Sequence, residues 1–471
     1  MDFDVVTSAK VKDPVSYGKR IAGAEFCAPM HAMHAYVKWL DDKADYIFMP
    51  AVLENRSADE PAKELYCYYT QFSPSVTSLL SDRLKERAIV PLLRFEKGLS
   101  FVLNTLHDSL DGIGGRKVDV RQINSAWKLA TEEDRKQKAR LKDLFKSNFN
   151  KDDNLSVVLL GRPYMVLSEQ LNNNIPDIFG GLGIKTFYQD MLPVDDCPAD
   201  DGLDDLLKSM PWHFASRLMK AARYITGAKG LYPVLITAFK CAPDSFVIEY
   251  FQKMMDVASK PYLILQIDEH DSSVGYETRV EAAVRSFRNH YDDKDNVSDT
   301  RAFNIMRPVY ILSKDRIVLF PNWDQIAGRF LAANLRRHGF ETHLLDHSRL
   351  GIQKAMATNS GQCLPLNIIA HDYIDYIEKK GLDPSRTILW MAETVLSCNI
   401  RMYPQYIKTI LENYGNGLEK ASVYSGEIAH TEISLGVTRY AYFAYMLSGL
   451  LRRTGCRLRP YEINTGETDA V

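Results

Sequence analysis

Short apolar runs rich in β-branched or aromatic residues alternate along this chain with longer stretches of helical periodicity. Nine runs are predicted to be strands: Tyr46–Met49, Ser156–Leu160, Lys185–Tyr188, Pro233–Thr237, Tyr262–Ile267, Ile317–Phe320, Glu341–Leu345, Thr387–Met391 and Ala421–Tyr424. Strands that alternate with helices typically form parallel sheets in layers, so the pattern predicts an α/β fold. A continuous apolar run such as Val157–Leu160 fits a strand that is covered on both faces.

Two stretches of the chain repeat the order strand, turn, helix, glycine and strand. The first copy runs from Ser156 to Thr186, with a helix expected over Gln170–Phe179, and the second runs from Arg316 to Thr342, with a helix expected over Arg329–Arg337. In each copy the glycine is expected to end the helix. The repeat predicts two or more flavodoxin-like or Rossmann-like parallel-sheet domains with additional helices, although every α/β unit has this order of elements.

Three regions are expected along the chain. Residues 1–150 form a cysteine-containing region of α/β and helical elements, 151–290 form one α/β domain, and 300–463 form a second one. The polar, turn-rich segment Asn289–Thr300 is predicted to link the two large halves. The charged segment Asn104–Asn154 is predicted to be a solvent-facing helix that ends in a loop.

Composition and charge are those of an ordinary globular protein. The 471 residues suffice for two to four domains, and 46% hydrophobic with 25% charged residues excludes a disordered or collagen-like chain. A formal net charge of −2 gives no positive field for nucleic acid. The apolar run Ala441–Leu451 is too short to cross a bilayer, which takes about 20 residues, and is predicted to be a buried helix. The acidic start lacks a secretory signal, so a cytoplasmic protein without nucleic-acid or membrane contacts is expected.

Five of the seven cysteines belong to two sequence patterns. Cys27, Cys241 and Cys363 each stand two residues before a proline, and helical periodicity follows. Because proline fits the first turn of a helix, each sulfur is predicted to lie at a helix N-terminus, where the dipole and the free N–H groups favour a thiolate. Cys67 follows Cys27 by 40 residues and Cys398 follows Cys363 by 35, in each case after a helix, a strand and a loop.

Two interpretations of these cysteines are open. Thiolates that converge from several loops ligate iron–sulfur clusters, whereas a lone cysteine is more often a small buried hydrophobe. The absence of any Cys-x-x-Cys excludes ferredoxin-type runs and zinc ribbons by spacing. Cys197 and Cys456 are expected to be structural or surface residues. His31 and His34 share a predicted helix with Cys27, and packing of that helix is favoured over a zinc site.

Polar residues follow two of the predicted strands. Asp268, Glu269 and His270 come directly after a strand, at the edge where parallel α/β proteins place their chemistry. They are candidates for acid–base catalysis, for hydrogen bonds to the ligands of a metal, or for a solvated turn. Arg162 also follows a strand and has two candidate roles: it binds a phosphate or carboxylate, or it fastens the turn between strand and helix.

A set of motifs carries a family resemblance. The motifs are Glu25-Phe-Cys-Ala-Pro29, Leu160-Gly-Arg-Pro-Tyr164, Asn174-Ile-Pro176, Phe239-Lys-Cys-Ala-Pro-Asp-Ser245, Ile267-Asp-Glu-His270, Thr278-Arg-Val-Glu-Ala282 and Gly361-Gln-Cys-Leu-Pro365. Together they resemble the large acyl-CoA dehydratase activase-related proteins. Those proteins are similar to the iron–sulfur component of 2-hydroxyacyl-CoA dehydratases and to the double-cubane cluster proteins. The resemblance extends from about Gly23 to about Tyr424.

The resemblance implies a [4Fe–4S] cluster, or a larger double cubane, in a cleft between two lobes. The pool of ligands that it implies is Cys27, Cys67, Cys241, Cys363 and Cys398. Electrons would come from a separate ATP-hydrolysing activator of the actin-like fold and go to a substrate such as an acyl-CoA. The sequence has no Gly-x-x-x-x-Gly-Lys-Ser/Thr loop, so ATP hydrolysis by this chain itself is not expected. Either a homodimer or a heterodimer would agree with this role.

The leading hypothesis is therefore the iron–sulfur component of an ATP-dependent low-potential reductase or 2-hydroxyacyl-CoA dehydratase-like system, with oxidoreductase or lyase chemistry. Asp268, Glu269 and His270 are its candidate catalytic residues. The alternative is a non-catalytic α/β interaction subunit without a working cluster. It is suggested by the neighbours of two cysteines, Cys67-Tyr-Tyr69 and Leu396-Ser-Cys-Asn399, which differ from the Cys-Pro and Gly-Pro-Cys-Arg patterns of the family. A zinc hydrolase is a third hypothesis, which predicts bound zinc and a colourless protein.

Overall fold

The computed structural model describes residues 3–8, 11–55, 64–150, 155–194, 201–239, 241–267, 273–293, 303–347, 349–358, 361–394, 396–427 and 430–470. The chain divides into two compact units, an N-terminal unit of residues 1–304 and a C-terminal unit of residues 305–471. Within the described ranges, no helix is both long enough and apolar enough to cross a membrane.

The N-terminal unit contains helices α1 to α13 and strands β1 to β8. The helices are α1 Pro14–Ala22, α2 Ala28–Asp41, α3 Tyr68–Thr77, α4 Asp82–Arg87, α5 Leu99–Leu110, α6 Val120–Asn148, α7 Pro163–Val166, α8 Glu169–Asn172, α9 Ile175–Gly181, α10 Asp201–Ser209, α11 His213–Thr226, α12 Ala242–Val257 and α13 Ser273–Asp292. The strands are β1 Ile47–Phe48, β2 Ala51–Val52, β3 Ala88–Ile89, β4 Leu92–Leu93, β5 Ser156–Leu160, β6 Lys185–Tyr188, β7 Leu231–Ala238 and β8 Leu263–Ile267.

The four short strands near the N-terminus form one interrupted parallel pair. Ile47 lies opposite Ala88, and Ala51 lies opposite Leu92, so both halves of the pair keep the same register. The interruption falls at Pro50 and Pro91, which occupy the same position of that register and have no N–H for the ladder. These two-residue strands are too short for a periodicity, which is why the sequence pattern predicted just one of them.

The main sheet of the N-terminal unit is fully parallel, with the strand order β6-β5-β7-β8. All five residues of β5 and all eight of β7 are buried, as expected of strands that are covered on both faces. The core of this unit includes Ala28 and Ala32 of α2 as well as the sheet residues, so helix α2 packs into the same core.

The C-terminal unit has a second parallel sheet with the order β10-β9-β11-β12. Its strands are β9 Ile317–Phe320, β10 Glu341–Leu344, β11 Thr387–Ala392 and β12 Ser422–Gly426, and its helices are α14 Gln325–Arg337, α15 Arg349–Thr358, α16 Leu364–Lys380, α17 Tyr403–Tyr414, α18 Leu435–Leu458 and α19 Glu467–Ala470. In both main sheets the second strand in sequence lies outside the first, and the third and fourth follow on the other side. This is the doubly wound order, with a switch point between the first and third strands.

The repeated helix end has the same geometry in both units. Gly183 and Gly339 follow α9 and α14 with φ angles of 73° and 90°. The N–H of the next residue donates to a carbonyl five residues back, from Ile184 to Phe179 at 3.0 Å and from Phe340 to Leu335 at 3.1 Å. A positive φ at this position favours glycine, so the prediction that these glycines end their helices is confirmed.

The α/β fold class is confirmed, and all nine predicted strands occur with ends shifted by at most two residues. The helix expected over Gln170–Phe179 is instead two short helices, because Asn173 and Asn174 adopt left-handed φ angles of 51° and 55° between them. Of the expected linker Asn289–Thr300, the first four residues end α13, and the segment from residue 294 lies outside the described residues.

The prediction that Ala441–Leu451 is a buried helix is half wrong. The segment is helical, within α18, but just Ala441, Ala444 and Ser448 of it are buried. Because one narrow stripe faces the core, the large apolar side chains between these positions point away from it, except Tyr445, which packs partly against the core.

Candidate functional site

Three of the predicted cysteines come together in the N-terminal unit, and each immediately precedes a helix. Cys27, Cys67 and Cys241 are the N-cap residues of α2, α3 and α12, and none of them makes a side-chain cap hydrogen bond. The prediction that these sulfurs lie at helix N-termini is therefore confirmed. Proline in the first turn accompanies Cys27 and Cys241, as the Cys-x-Pro pattern indicated.

The three thiols are close enough to interact electrostatically. Burial raises the pKa of Cys27 to about 11, and negative charge on Cys67 adds to the rise. Burial also raises the pKa of Cys241 well above its usual value, and charge on Cys27 and Cys67 acts in the same direction. The same three sulfurs raise the pKa of the buried Tyr164 hydroxyl, after burial itself. The structure thus brings together cysteines from positions 27, 67 and 241 of the sequence.

A position at a helix N-terminus was expected to favour the thiolate form of these cysteines. For Cys27 and Cys241 in this structure that expectation is wrong. The backbone N–H of Met30 and the positive charge of Arg162 lower the pKa of Cys27, but removal of the sulfur from water outweighs both. Both thiols are therefore protonated at neutral pH. A ligand that binds sulfur would have to displace their protons.

A buried ion pair lies beside the thiols. Arg162 follows β5, Asp244 lies in the first turn of α12 after β7, and Nη2 of the arginine donates to Oδ1 of the aspartate at 2.8 Å. The hydroxyl of Thr237 donates to the other carboxylate oxygen at 2.6 Å. Both charged side chains are about 5% exposed, so the pair is shielded from solvent. Of the two roles considered for Arg162, the structure therefore favours fastening the turn after the strand to the next helix.

Gly161 allows Arg162 to take this position. Its φ of 151° is one that residues with a side chain rarely adopt, and an added Cβ would lie 2.5 Å from the carbonyl oxygen of Ile236 on the neighbouring strand. Its N–H donates to Oε1 of Gln189 at 3.0 Å. The glycine of the Gly-Arg-Pro-Tyr motif is thus needed for the close approach of two strand ends.

Aromatic rings line one side of the cysteine cluster. Phe26 packs edge-on against Tyr69 at 5.5 Å and stacks on His34 at 5.3 Å between ring centroids. His34 Nδ1 pairs with the carbonyl oxygen of Met30 at 2.7 Å, and His31 Nε2 accepts from the N–H of Phe26 at 3.1 Å. Both histidines are buried, in agreement with the packing interpretation. Burial, followed by the charges of nearby cysteines, raises the pKa of Tyr69.

The other two predicted cysteines meet in the C-terminal unit. Cys363 is the N-cap of α16, and Cys398 is the N-cap of the 3₁₀ turn Asn399–Met402 that leads into α17. Nδ2 of Asn399 donates to the sulfur of Cys363 at 2.8 Å, which places the two cysteine segments side by side. The Tyr403 pKa is raised by burial and then by Cys363, which is also its hydrogen-bond partner, and by Cys398.

The remaining site predictions have mixed outcomes. Asp268, Glu269 and His270 lie outside the described residues, as does Cys197. Cys456 is exposed on α18, as expected of a surface cysteine. In the part of the chain that the structure describes, no three His, Cys, Asp or Glu side chains are placed so that they could hold a metal ion. The five candidate thiols are therefore gathered in two sets, but neither set is a formed ligand shell.

Sequence reasoning did not assign a role to Asp244, Tyr69 or Tyr403. Asp244 belongs to the Phe239–Ser245 motif, which was recognised for its cysteine. Asp244 directly follows Pro243 and so lies in the first turn of the helix, where an acidic residue is common. Its ion-pair partner could not be predicted from a local sequence pattern, because Arg162 is 82 residues away in sequence. The two tyrosines carry no sequence signal, since the chain has 25 of them.

Comparison with known proteins agrees with part of this assignment. No curated protein matches the chain. Residues 1–192 match the model of the family described as the CoA enzyme activase uncharacterised domain (DUF2229). The matched segment includes Cys27, Cys67 and Arg162, whereas Cys241 and the C-terminal unit lie beyond it. The match supports an activase-related family for this chain.

Proposed function

We propose that this protein is the iron–sulfur component of an ATP-dependent, low-potential electron-transfer system that acts on acyl-CoA compounds. The proposal rests on one observation above all: three cysteines that are far apart in sequence lie together, each at the N-terminus of a different helix. Helix N-termini and a nearby guanidinium favour negative charge, and cysteine thiolates are the usual ligands of [4Fe–4S] clusters. The activase-related match of residues 1–192 points to the same type of system.

Cys27, Cys67 and Cys241 would be the ligands of a [4Fe–4S] cluster, which supplies single electrons at low potential when bound. Loading would require that the thiols rotate towards one another, because in the described structure they form no ligand shell. Cys27 and Cys241, whose pKa values are raised by burial, would also have to lose their protons. Arg162 is the charged group that offsets negative charge on Cys27 and Cys241. Phe26 and Tyr69, which pack edge-on, place aromatic rings on one side of the site.

Cys363 and Cys398 form the second set of candidate ligands, in the C-terminal unit. Three thiols suffice for a cluster with one open iron, whereas a larger double cubane would need more thiolate ligands than the N-terminal set provides. Asn399, which donates to the sulfur of Cys363, would stabilise a thiolate there. In this proposal a separate ATPase of the actin-like fold delivers the electrons, and Asp268, Glu269 and His270 remain the candidates for moving protons on a 2-hydroxyacyl-CoA.

The test is anaerobic purification of the full chain, followed by iron and acid-labile sulfide analysis and EPR of the reduced protein. We expect a brown protein with about four iron and four sulfide per cluster. Serine at Cys27, Cys67 or Cys241 should remove most of the iron, and serine at Cys456, an exposed thiol on α18, should leave it unchanged. The variants at Cys363 and Cys398 decide whether the second set also binds iron.

A colourless protein without iron, or iron that persists in all five cysteine variants, would refute the proposal. That result would favour a second candidate, an interaction subunit of the same system that has no cluster. The observation in favour of this candidate is that no metal-binding group is formed among the described side chains. It predicts that the wild type and the Cys27→Ser variant bind the ATPase partner equally well.

A further inference from the structure

Helix α18 carries an exposed apolar surface whose positions are arranged symmetrically along the helix. Val437, Ala441, Ala444 and Ser448 are the buried residues of α18, and they form one narrow stripe. Nine large apolar side chains outside this stripe are exposed, and the six nearest the middle of the helix are 44–62% exposed: Tyr442, Phe443, Met446, Leu447, Leu450 and Leu451. We call these six residues the α18 surface. On a regular helix most of its members face away from the buried stripe.

The six positions form three pairs about a point between Met446 and Leu447. Phe443 and Leu450 are equidistant from that point, as are Tyr442 and Leu451. If two copies of this helix lie antiparallel with a twofold axis through the point, each of these six residues in one copy faces one of the six in the other. An interface between identical chains needs such self-complementarity.

Charge along the helix favours an antiparallel over a parallel pair. Glu427 and Glu432 precede the N-terminus of α18 and Arg439 lies near that end, whereas Arg452, Arg453 and Arg457 lie near its C-terminus. In an antiparallel pair, the basic end of each copy lies beside the acidic start of the other. The two helix dipoles then also oppose each other, which is the favourable arrangement. A parallel pair would instead bring the arginines of both copies together.

The surface beside α18 is concave. A groove of about 270 Å³ runs between α14 and α18, and it is lined by Phe330, Ala333, Asn334 and Arg337 on α14 and by Tyr440, Phe443, Ala444 and Leu447 on α18. Arg337 lies over the ring of Tyr440 at 4.7 Å and covers one edge of the groove. A concave apolar groove beside a protruding apolar helix accepts another helix better than it accepts a flat lipid surface.

We infer that the protein forms a homodimer in which the α18 helices of two copies pack antiparallel, centred between Met446 and Leu447. The 24 residues of α18 give about 36 Å of helix, so the contact can extend over several turns on either side of the axis. Six exposed apolar side chains per copy, flanked by charged residues, have the anatomy of a protein–protein interface with an apolar centre and a polar rim. The inference does not depend on whether the protein binds a cluster.

Sedimentation velocity of the full chain at micromolar concentration tests the inference. The wild type should be a dimer, and Met446→Glu should weaken the dimer at least about 100-fold, because it places two like charges next to the axis. Met446 is 59% exposed, so the substitution leaves the core intact. The matched control is Leu129→Glu, which changes a 73% exposed leucine on α6 and should leave the dimer unchanged.

A cross-link tests the direction of the helices. With a short bis-maleimide, Met446→Cys should link the two copies, because residues next to the axis face each other. The exposed native Cys456 should not link to its own copy, since 19 residues of helix separate the two sites by about 28 Å in an antiparallel pair. Linkage through Cys456 in the wild type would mean a parallel pair and would contradict the inference.

Three further outcomes would overturn the inference. One is a wild type that stays monomeric, and another is a dimer that Met446→Glu does not weaken. The third is a monomer that binds anionic vesicles through the α18 surface, with binding lost in Met446→Glu, because this would assign the surface to a membrane.

Discussion

The two main sheets of this protein have the same topology and different chemistry at the corresponding edge. Both have the doubly wound strand order, and both end the helix between their first two strands with a glycine at positive φ. In the N-terminal unit, the strand ends of β5 and β7 hold a buried Arg162–Asp244 ion pair beside cysteines. In the C-terminal unit, three aromatic rings pack together at β9 and β11: those of Phe320, Trp323 and Trp390. Strand order therefore sets where a site can form in each unit, and the residues of the loops set its chemistry.

The aromatic edge of the C-terminal unit contains a buried histidine. Trp390 packs against Phe320 at 4.9 Å, against Trp323 at 6.0 Å and against His430 at 5.1 Å between ring centroids. His430 is fully buried, and neither of its ring nitrogens has a hydrogen-bond partner among the described residues. Two unpaired ring nitrogens of His430 thus lie among aromatic rings at this edge, whereas the buried charges beside β5 and β7 of the N-terminal unit are paired.

The largest effect on stability is expected from loss of the Arg162–Asp244 ion pair. Arg162→Met leaves the Asp244 carboxylate buried with Thr237 as its remaining side-chain partner, and should lower the free energy of unfolding of the N-terminal unit by about 3–5 kcal/mol. The measurement is hydrogen exchange with mass spectrometry under increasing denaturant, which follows the two units separately.

Arg316→Met in the C-terminal unit is the matched control for this prediction. Arg316 is partly exposed and donates to the hydroxyl of Ser422 at 2.6 Å, so its loss should cost about 1 kcal/mol. The double variant Arg162→Met/Asp244→Leu should recover part of the stability, since it leaves no charge unpaired. Equal small losses for both arginine variants would contradict the assigned role of the ion pair.

The second prediction concerns the residue that follows the first strand of each sheet. That residue is Gly161 after β5 and Pro321 after β9. Gly161→Ala should cost about 2–3 kcal/mol, because its φ of 151° is unfavourable for alanine and the new Cβ meets the carbonyl oxygen of Ile236. Pro321→Ala should cost about 1 kcal/mol or less. Thermal unfolding of both variants provides the measurement, and a tolerated Gly161→Ala would show that the strand ends can move apart.

The third prediction is a dependence of stability on pH in the C-terminal unit. Burial lowers the pKa of His430 below its usual 6.5, and Glu432 opposes the shift. The unfolded chain therefore binds a proton before the folded one as the pH falls, and stability is lost below about pH 6.5, by up to about 1.4 kcal/mol per pH unit. Above that pH the contribution of the neutral histidine is fully present.

Thermal unfolding at pH 7.5 and at pH 5 should therefore separate the wild type from His430→Leu. The variant should lose less stability on acidification, because it removes the group that takes up the proton. The variant His338→Leu is a control on the same unit, since His338 is partly exposed. If the wild type and His430→Leu respond identically to acid, another group governs the pH dependence.

The smallest effects on stability are expected for the helix-ending glycines, which occur in both units. Gly183→Ala and Gly339→Ala should each cost about 1 kcal/mol, because both glycines have a positive φ in the same helix-ending motif. Neither position has a neighbour closer than 3.5 Å to an added Cβ, so the backbone conformation sets the cost. Unequal losses, measured by chemical denaturation of the two variants, would mean that the motif carries different strain in the two units.

The site was predictable in part. The Cys-x-Pro spacing located three helix N-termini, since proline in a first turn is a local preference that needs no tertiary contact. The protonation of Cys27 was predicted wrongly, because desolvation depends on what surrounds the sulfur. The partner of Arg162 could not be predicted from the sequence, because Asp244 becomes its neighbour when β5 and β7 pair.

Local residue patterns were enough to predict the strands, their parallel arrangement and the ends of the repeated helices, because periodicity, glycine and proline act over a few residues. They did not determine which face of α18 is buried: an apolar run of 11 residues fits a core, yet the tertiary structure exposes six of its side chains. The tertiary structure also decided which cysteines meet, with Cys27, Cys67 and Cys241 in one unit and Cys363 and Cys398 in the other. Contacts between distant segments depend on how strands order themselves in a sheet, and that order is settled when the whole core packs.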